Sequence, residues 1–181
     1  MKRQNRYERV FEAYLRRRGL GYLAIDETRR ALPSIKTPDF IVTVPGAGVL
    51  LVDVKGRRYP GGTADRPRRV WENWSTHDDL LGLSSWQAQF GPSATAVLVF
   101  VYELAGSVEL PEDTRDCCDY RGGRYLIRAV TIDDYRRACR CRSARWGTVS
   151  LARDAFAAIV WPFSELIDLP ELTEQHAELP P

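Results

Sequence analysis

The chain is short of histidine, of lysine and of long apolar runs, and each shortage removes a class of function. Only His77 and His176 occur in 181 residues, which excludes a metal site built on three imidazoles. His77-Asp78-Asp79 has the make-up of the polar first turn of a helix. No stretch approaches the ~18 apolar residues of a membrane span, and the basic, amphipathic N-terminus lacks the apolar core of a secretory signal. A cytoplasmic protein without membrane contact is therefore expected. Cysteine is sparse too. Cys117-Cys118 and Cys139-x-Cys141 lack the two-residue gap of zinc knuckles, and a reducing compartment keeps such thiols free. No internal repeat or low-complexity linker divides the chain.

What is present suffices for a core. Residues are 44% hydrophobic and include five Trp, eight Tyr and six Phe, and at this length roughly 70% of the unfolded surface can be buried. Residues 1–162 are expected to form a single domain, and 163–181, with five acidic residues and no basic one, an acidic tail. Of 26 basic residues, 23 are Arg; the lysines are Lys2, Lys36 and Lys55. The net charge is only +2, yet basic residues gather in 1–30, 55–69 and 115–145. Brought onto one surface, these blocks would bind phosphate, since guanidinium forks match phosphate oxygens. Scattered, they would be an ordinary solvated surface.

Apolar spacing sets the order of elements. Tyr7, Val10, Phe11, Tyr14 and Leu15 fall on one helical face within 5–18, and Gly19 ends that helix. Strands are expected over 21–27, 39–44 and 49–55, the last two joined by a Gly-rich turn as a hairpin. Residues 56–75 read as irregular. A second helix spans 76–90, capped by Ser75 or Thr76 and closed by Gly91. The nearly continuous apolar run 94–103 suits a strand covered on both faces. Further on, 124–130 and 146–151 read as strands, Thr131 to about Cys141 and 152–160 as helices, and a helical turn or two follows Pro162.

Chemistry concentrates at Pro38-Asp39 and, after a gap of thirteen residues, Asp53-Val54-Lys55. Asp53 and Lys55, two apart on one strand, share a face, and the hairpin folds Asp39 back beside them. Two converging carboxylates repel unless a cation neutralises them, and hard oxygens of this kind suit Mg2+. Parity imposes a condition: a four-residue turn would set Asp39 against Val54, so a bulge or an odd-length loop is required. Lys55 is notable in a chain that otherwise uses Arg, because an ammonium can act beside a bound water or a scissile phosphate and can shift its pKa. Alone, Asp-x-Lys would be an exposed ion pair at a strand end.

The whole constellation resembles the PD-(D/E)XK, or restriction-endonuclease-like, nuclease superfamily, and within it the Holliday-junction resolvases, whose first helix reads Glu-Arg and then Gly, as Glu8-Arg9 through Gly19 does here. Arg6-Tyr7-Glu8-Arg9-Val10-Phe11-Glu12 also resembles the motif of the uncharacterised HYExAFE family, departing from it at Arg6 and Val10. The superfamily likeness covers about 5–103. It implies an α/β fold with an α-β-β-β-α-β core, a mixed central sheet flanked by helices and an α+β extension over about 104–162. It implies a metal-dependent nuclease acting on DNA, or else a catalytically inactive relative that binds nucleic acid or protein. Carried onto this chain, Asp39, Asp53, the Val54 carbonyl and Glu8 would hold Mg2+ or Mn2+, with Glu12 as the other helix carboxylate. Lys55 would act on the attacking water, and Gln87 or Gln89 would complete the catalytic set. Arg9, Arg57 and Arg58 would meet phosphates, and Trp74, with Trp71, would stack on a base or else pack in the core. Resolvases of this branch work as dimers, so a homodimer is implied as well.

Overall fold

A computed structural model describes residues 5–25, 35–63 and 65–168. The end of the expected strand 21–27, the loop holding Pro33 and the tail beyond 168 lie outside the described residues. The first helix, α1 (Arg6–Arg17), begins where the Asn5 side chain accepts the Tyr7 and Glu8 N–H groups while the Glu8 carboxylate accepts the Asn5 N–H. This reciprocal cap satisfies N–H groups that have no helical partner. Glu8 in the first turn and Arg16 and Arg17 in the last also oppose the helix dipole. At the other end the chain turns out through Gly19 at positive φ.

The elements that follow are β1 (Tyr22–Ala24), β2 (Phe40–Val44), β3 (Gly48–Tyr59), the small hairpin β4 (Gly61–Thr63) and β5 (Arg66–Arg68), β6 (Ser75–Thr76), α2 (His77–Phe90) and β7 (Ala94–Leu104). The extension adds β8 (Cys117–Tyr120), β9 (Gly123–Thr131), α3 (Ile132–Ala138), β10 (Arg140–Ser143), β11 (Thr148–Ser150), α4 (Arg153–Ile159), β12 (Trp161–Pro162) and α5 (Phe163–Ile167). The central sheet runs β1-β2-β3-β7-β9-β12, with β8 on β9. Only the β3–β7 pair is parallel, its crossover carrying α2. The α-β-β-β-α-β order expected from the sequence is therefore built, in a mixed sheet with helices on both faces.

Period-2 alternation along β3 divides the core. Leu50, Val52 and Val54 pack with Val10, Phe11, Tyr14 and Leu15 of α1, whereas Leu51 packs with Leu80 and Leu83 of α2. Phe11 meets Phe40 and Phe163 edge-on, with centroids 5.5 and 5.0 Å away. Truncating a fully buried side chain of this size costs about 3–5 kcal/mol. Because Phe163 is fully buried, the packed core continues past Pro162, and the helical turn expected there forms as α5.

Three expectations are corrected. The strand expected to stop at Lys55 runs on to Tyr59, because β7 pairs with it from Val49 through Tyr59. Gly56 permits this: a Cβ there would fall 1.9 Å from the Tyr7 ring of α1, which crosses at that point. The helix expected to reach Cys141 ends at Ala138, and the extended Cys139 leads into β10. Cys117-Cys118, given no element, forms β8; all four cysteines are free thiols. Among the described residues no helix is long and apolar enough to cross a membrane.

Candidate active site

Register decides the site. Val44 pairs with Gly48, so three residues, Pro45 to Ala47, make the hairpin loop, and its odd length meets the parity condition. Phe40 lies opposite Val52, and continuing that register by one residue sets Asp39 across from Asp53. The backbone keeps this arrangement: Asp39 N–H donates to the Val52 carbonyl at 2.7 Å, and Asp39 Oδ2 accepts the Val54 N–H at 2.7 Å. Since β2 begins only at Phe40, β3 loses that neighbour from Asp53 onward, and its edge opens where the charged residues start.

Asp53 is only 3% exposed, a position a carboxylate keeps only with partners. Lys55 supplies one, its Nζ 2.5 Å from Asp53 Oδ2 and 2.7 Å from Asp79 Oδ2. Asp53 Oδ2 is buried, and among the described residues the Lys55 ammonium is what compensates it. Lys36 closes the group. Its Nζ bonds Asp79 Oδ1 and lies 3.9 Å from Asp53 Oδ1. Asp79 is fixed from its own side, accepting the Ser75 hydroxyl at 2.8 Å and the Thr76 N–H at 2.9 Å as the N-terminal cap of α2. The backbone of Lys36 is seated on α2 as well: Trp86 Nε1 donates to its carbonyl at 3.1 Å, and a Cβ on Gly82 would fall 2.5 Å from that carbonyl oxygen.

Electrostatics separates the three aspartates. Burial would raise the Asp79 pKa, but Lys55 and Lys36 outweigh it and hold the group far below the usual carboxylate range. Asp53 is raised, by burial first, against the pull of Lys55 and Lys36. Asp39 is pushed up to about 8, by burial and then by the charge of Asp53, with Glu8 adding to the push and the Val54 N–H and Lys55 opposing it. Asp39 thus holds a proton at neutral pH because a second anion there has too little compensation.

A divalent cation would supply what the proton supplies. Asp39 and Asp53 offer hard oxygens, both carboxyls raised by burial, and Mg2+ is commonly held by one or two carboxylates with water and phosphate oxygens filling the rest. Among the described residues no set of three or more His, Cys, Asp or Glu side chains is grouped to hold a metal. A two-carboxylate site, completed by a carbonyl such as that of Val54, is what these residues fit.

The other candidates divide. Glu8 sits on α1, which packs against the opposite face of β3; its carboxylate takes part in the α1 cap, while its charge helps to raise Asp39. Glu12 is engaged elsewhere, accepting from Arg16 at 2.7 Å and Tyr22 at 2.8 Å. Gln87 is not brought to the group. Its Oε1 accepts the Ala96 N–H at 2.6 Å and its Nε2 donates to Asp133, eight residues and about 12 Å along α2 from Asp79. Gln89 turns back onto Ser85.

Arg57 is committed internally, donating to the Gly56 and Trp74 carbonyls with its guanidinium 4.0 Å from the Trp74 ring centroid. Trp74 is half-buried beneath it, and Trp71 stacks on Tyr59 at 3.6 Å. Arg58 is exposed, and Arg9 is half-buried beside Glu8. Lys36 and Asp79 are the members that sequence reasoning missed. The scarcity of lysine was the available signal: two of the three lysines meet here.

No family model and no curated protein matches the sequence. The structure is similar to that of Hjc, a Holliday junction resolvase from the archaeal hyperthermophile Archaeoglobus fulgidus, with a TM-score of 0.54 and 12% sequence identity over 90% of this chain and 98% of that one. At such identity the likeness is one of architecture, and the chain has a restriction-endonuclease-like α/β fold.

Proposed function

We propose that this protein is a metal-dependent nuclease that hydrolyses phosphodiester bonds in DNA. One observation carries the reading: Asp39, one residue ahead of the Phe40–Val52 pair, is bonded through its own N–H and carboxylate to Val52 and Val54 on either side of Asp53, with Lys55 two residues along the same strand. Asp39, Asp53 and the Val54 carbonyl would hold the cation. That ion would supply Lewis acidity at the phosphate and lower the pKa of a bound water. Lys55, with Asp53 and Asp79 on either side, would orient the attacking water and offset charge building on the phosphate. Asp79 and Lys36 would hold Lys55 in place, and Glu8 would tune Asp39 from α1. Arg58 and Arg9 are the arginines left to meet flanking phosphates. The similarity to a resolvase structure supports DNA as the polymer.

A second reading, a non-catalytic relative that binds nucleic acid or protein, is favoured by the closed ion-pair group itself, since Lys36 and Lys55 both have carboxylate partners already. The two part on cleavage of duplex, single-stranded and branched DNA with Mg2+ or Mn2+. A nuclease requires added metal, stops with chelator and fails as Lys55→Ala. DNA binding with no cleavage under any of these conditions supports the second reading.

A further inference from the structure

The β10–β11 hairpin carries features that the packing does not use. Residues 139–150 contain Arg140, Arg142 and Arg145 and no acidic residue. None of these arginines forms an ion pair with a carboxylate among the described residues. At the turn Trp146 is 70% exposed, with the Arg145 guanidinium 5.2 Å from its ring centroid. Trp71 and Trp86 are held by an aromatic stack and a hydrogen bond; among the described residues Trp146 has no such anchor. Single exposed aromatics are common on protein surfaces. This one borders a concavity of ≈ 490 Å³ lined by Trp74, Arg142, Ser143, Trp146 and Thr148, with Arg142 5.2 Å from the Trp74 ring centroid.

The hairpin is also joined to the candidate site. β11 pairs with β6, setting Val149 opposite Ser75 and Thr148 opposite Thr76. His77 N–H donates to the Gly147 carbonyl at 2.9 Å. Ser75 and Thr76 are the residues that hold Asp79 against Lys55. A ligand on Trp146 would therefore lie next to the backbone that builds the charged group.

An aromatic face beside guanidinium groups that no carboxylate neutralises suits a nucleobase with phosphates on either side. Within a continuous duplex both faces of a base are already stacked, so only a base that has left its stack can use such a platform. We infer that the β10–β11 hairpin docks an unpaired nucleobase and its flanking phosphates, Trp146 stacking on the base while Arg142 and Arg145 take the phosphates. The substrate would then be DNA that is single-stranded or locally unpaired beside the cut. This rests on the nuclease reading for its setting, but binding can be measured without cleavage.

The test is fluorescence anisotropy with EDTA present, using a single strand, a duplex with one bulged 2-aminopurine and the same duplex fully paired. Wild type should bind the first two more tightly and quench the 2-aminopurine. Trp146→Ala should weaken both by about tenfold, lose the quenching and bind the paired duplex as before. Arg142→Ala with Arg145→Ala, both exposed, should flatten the salt dependence of binding. The inference is overturned if Trp146→Ala binds bulged and paired DNA as wild type does, if it weakens both equally, or if no DNA binds. Binding that depends on Trp146 in a protein that never cuts would sink the nuclease reading alone. Cleavage that depends on Lys55, with binding indifferent to Trp146, would sink this inference alone.

Discussion

The two halves of β3 obey different rules. From Val49 to Val52 the strand has β2 on one side and β7 on the other, and every residue is apolar, as burial on both faces requires. From Asp53 to Tyr59 only β7 remains in register, and the strand carries Asp53, Lys55, Arg57 and Arg58. Losing one neighbouring strand converts a packing element into a chemical one. Charge in the second half is tolerated because it is shared: α2 brings Asp79, and the segment ahead of β2 brings Lys36.

Breaking that shared charge tests the difference most severely. Replacing Lys55 by Ala should lower metal-dependent cleavage by about 10²–10³-fold, the range for one group that stabilises charge building in the transition state, measured as single-turnover rates. Asp79→Ala should act on stability, since it leaves Lys36 and Lys55 short of a buried partner. Denaturant unfolding should show a loss of about 3–5 kcal/mol, whereas an apolar substitution in the first half would reveal only its packing term.

The aspartates sharpen the comparison through pH. Free in an unfolded chain, the Asp39 carboxyl sits near 3.8, and in the folded protein it holds its proton up to about 8. Its contribution to stability is therefore full below about pH 4 and is lost as pH rises through about 8. The metal-free protein should lose stability across that window, Asp39→Asn should remove this part of the slope, and Mg2+ should restore wild-type stability at the alkaline end. Thermal unfolding at a series of pH values checks all three.

Smaller effects mark the boundaries of the site. Gly56→Ala should cost about 1–3 kcal/mol, because its Cβ would meet the Tyr7 ring near the ring's attachment to the chain; combining it with Tyr7→Ala should recover part of that loss. Gln87→Ala should cost only about 1 kcal/mol, for the bond to the Ala96 N–H, and leave the cleavage rate within about twofold.

Much of this was legible before any coordinates. The apolar face of α1 and the Asp-x-Lys face follow from short-range periodicities of 3.6 and 2, a cap at Ser75 or Thr76 follows from residue type, and parity demanded a bulge or an odd hairpin loop, of which the structure has the loop. Other parts depended on contacts that no local pattern carries. Asp79 has the sequence of an ordinary helix-capping acid, and its second role appears only when α2 lies across β3. Lys36 precedes β2 with no acid at strand spacing, so its rarity was the sole clue. Gln87 fell the other way: its polar setting suited a site, but the turn of α2 on which it lies faces the start of β7. Short strands such as β4 and β8 lack alternating apolar residues, and neighbouring chain, more than their own composition, makes them strands.

The loop from Pro45 to Ala47 has a consequence out of proportion to its size. Five residues, about 17 Å of extended chain, separate it from Asp39, and it touches none of the charged group. Yet gaining or losing one residue there would turn Asp39 to the sheet's opposite side and carry Phe40 and Val42 out of their places. Any descendant sequence is thus freer to change the letters of this bend than their number, and a deletion there would dismantle the proposed site as surely as removing the amine.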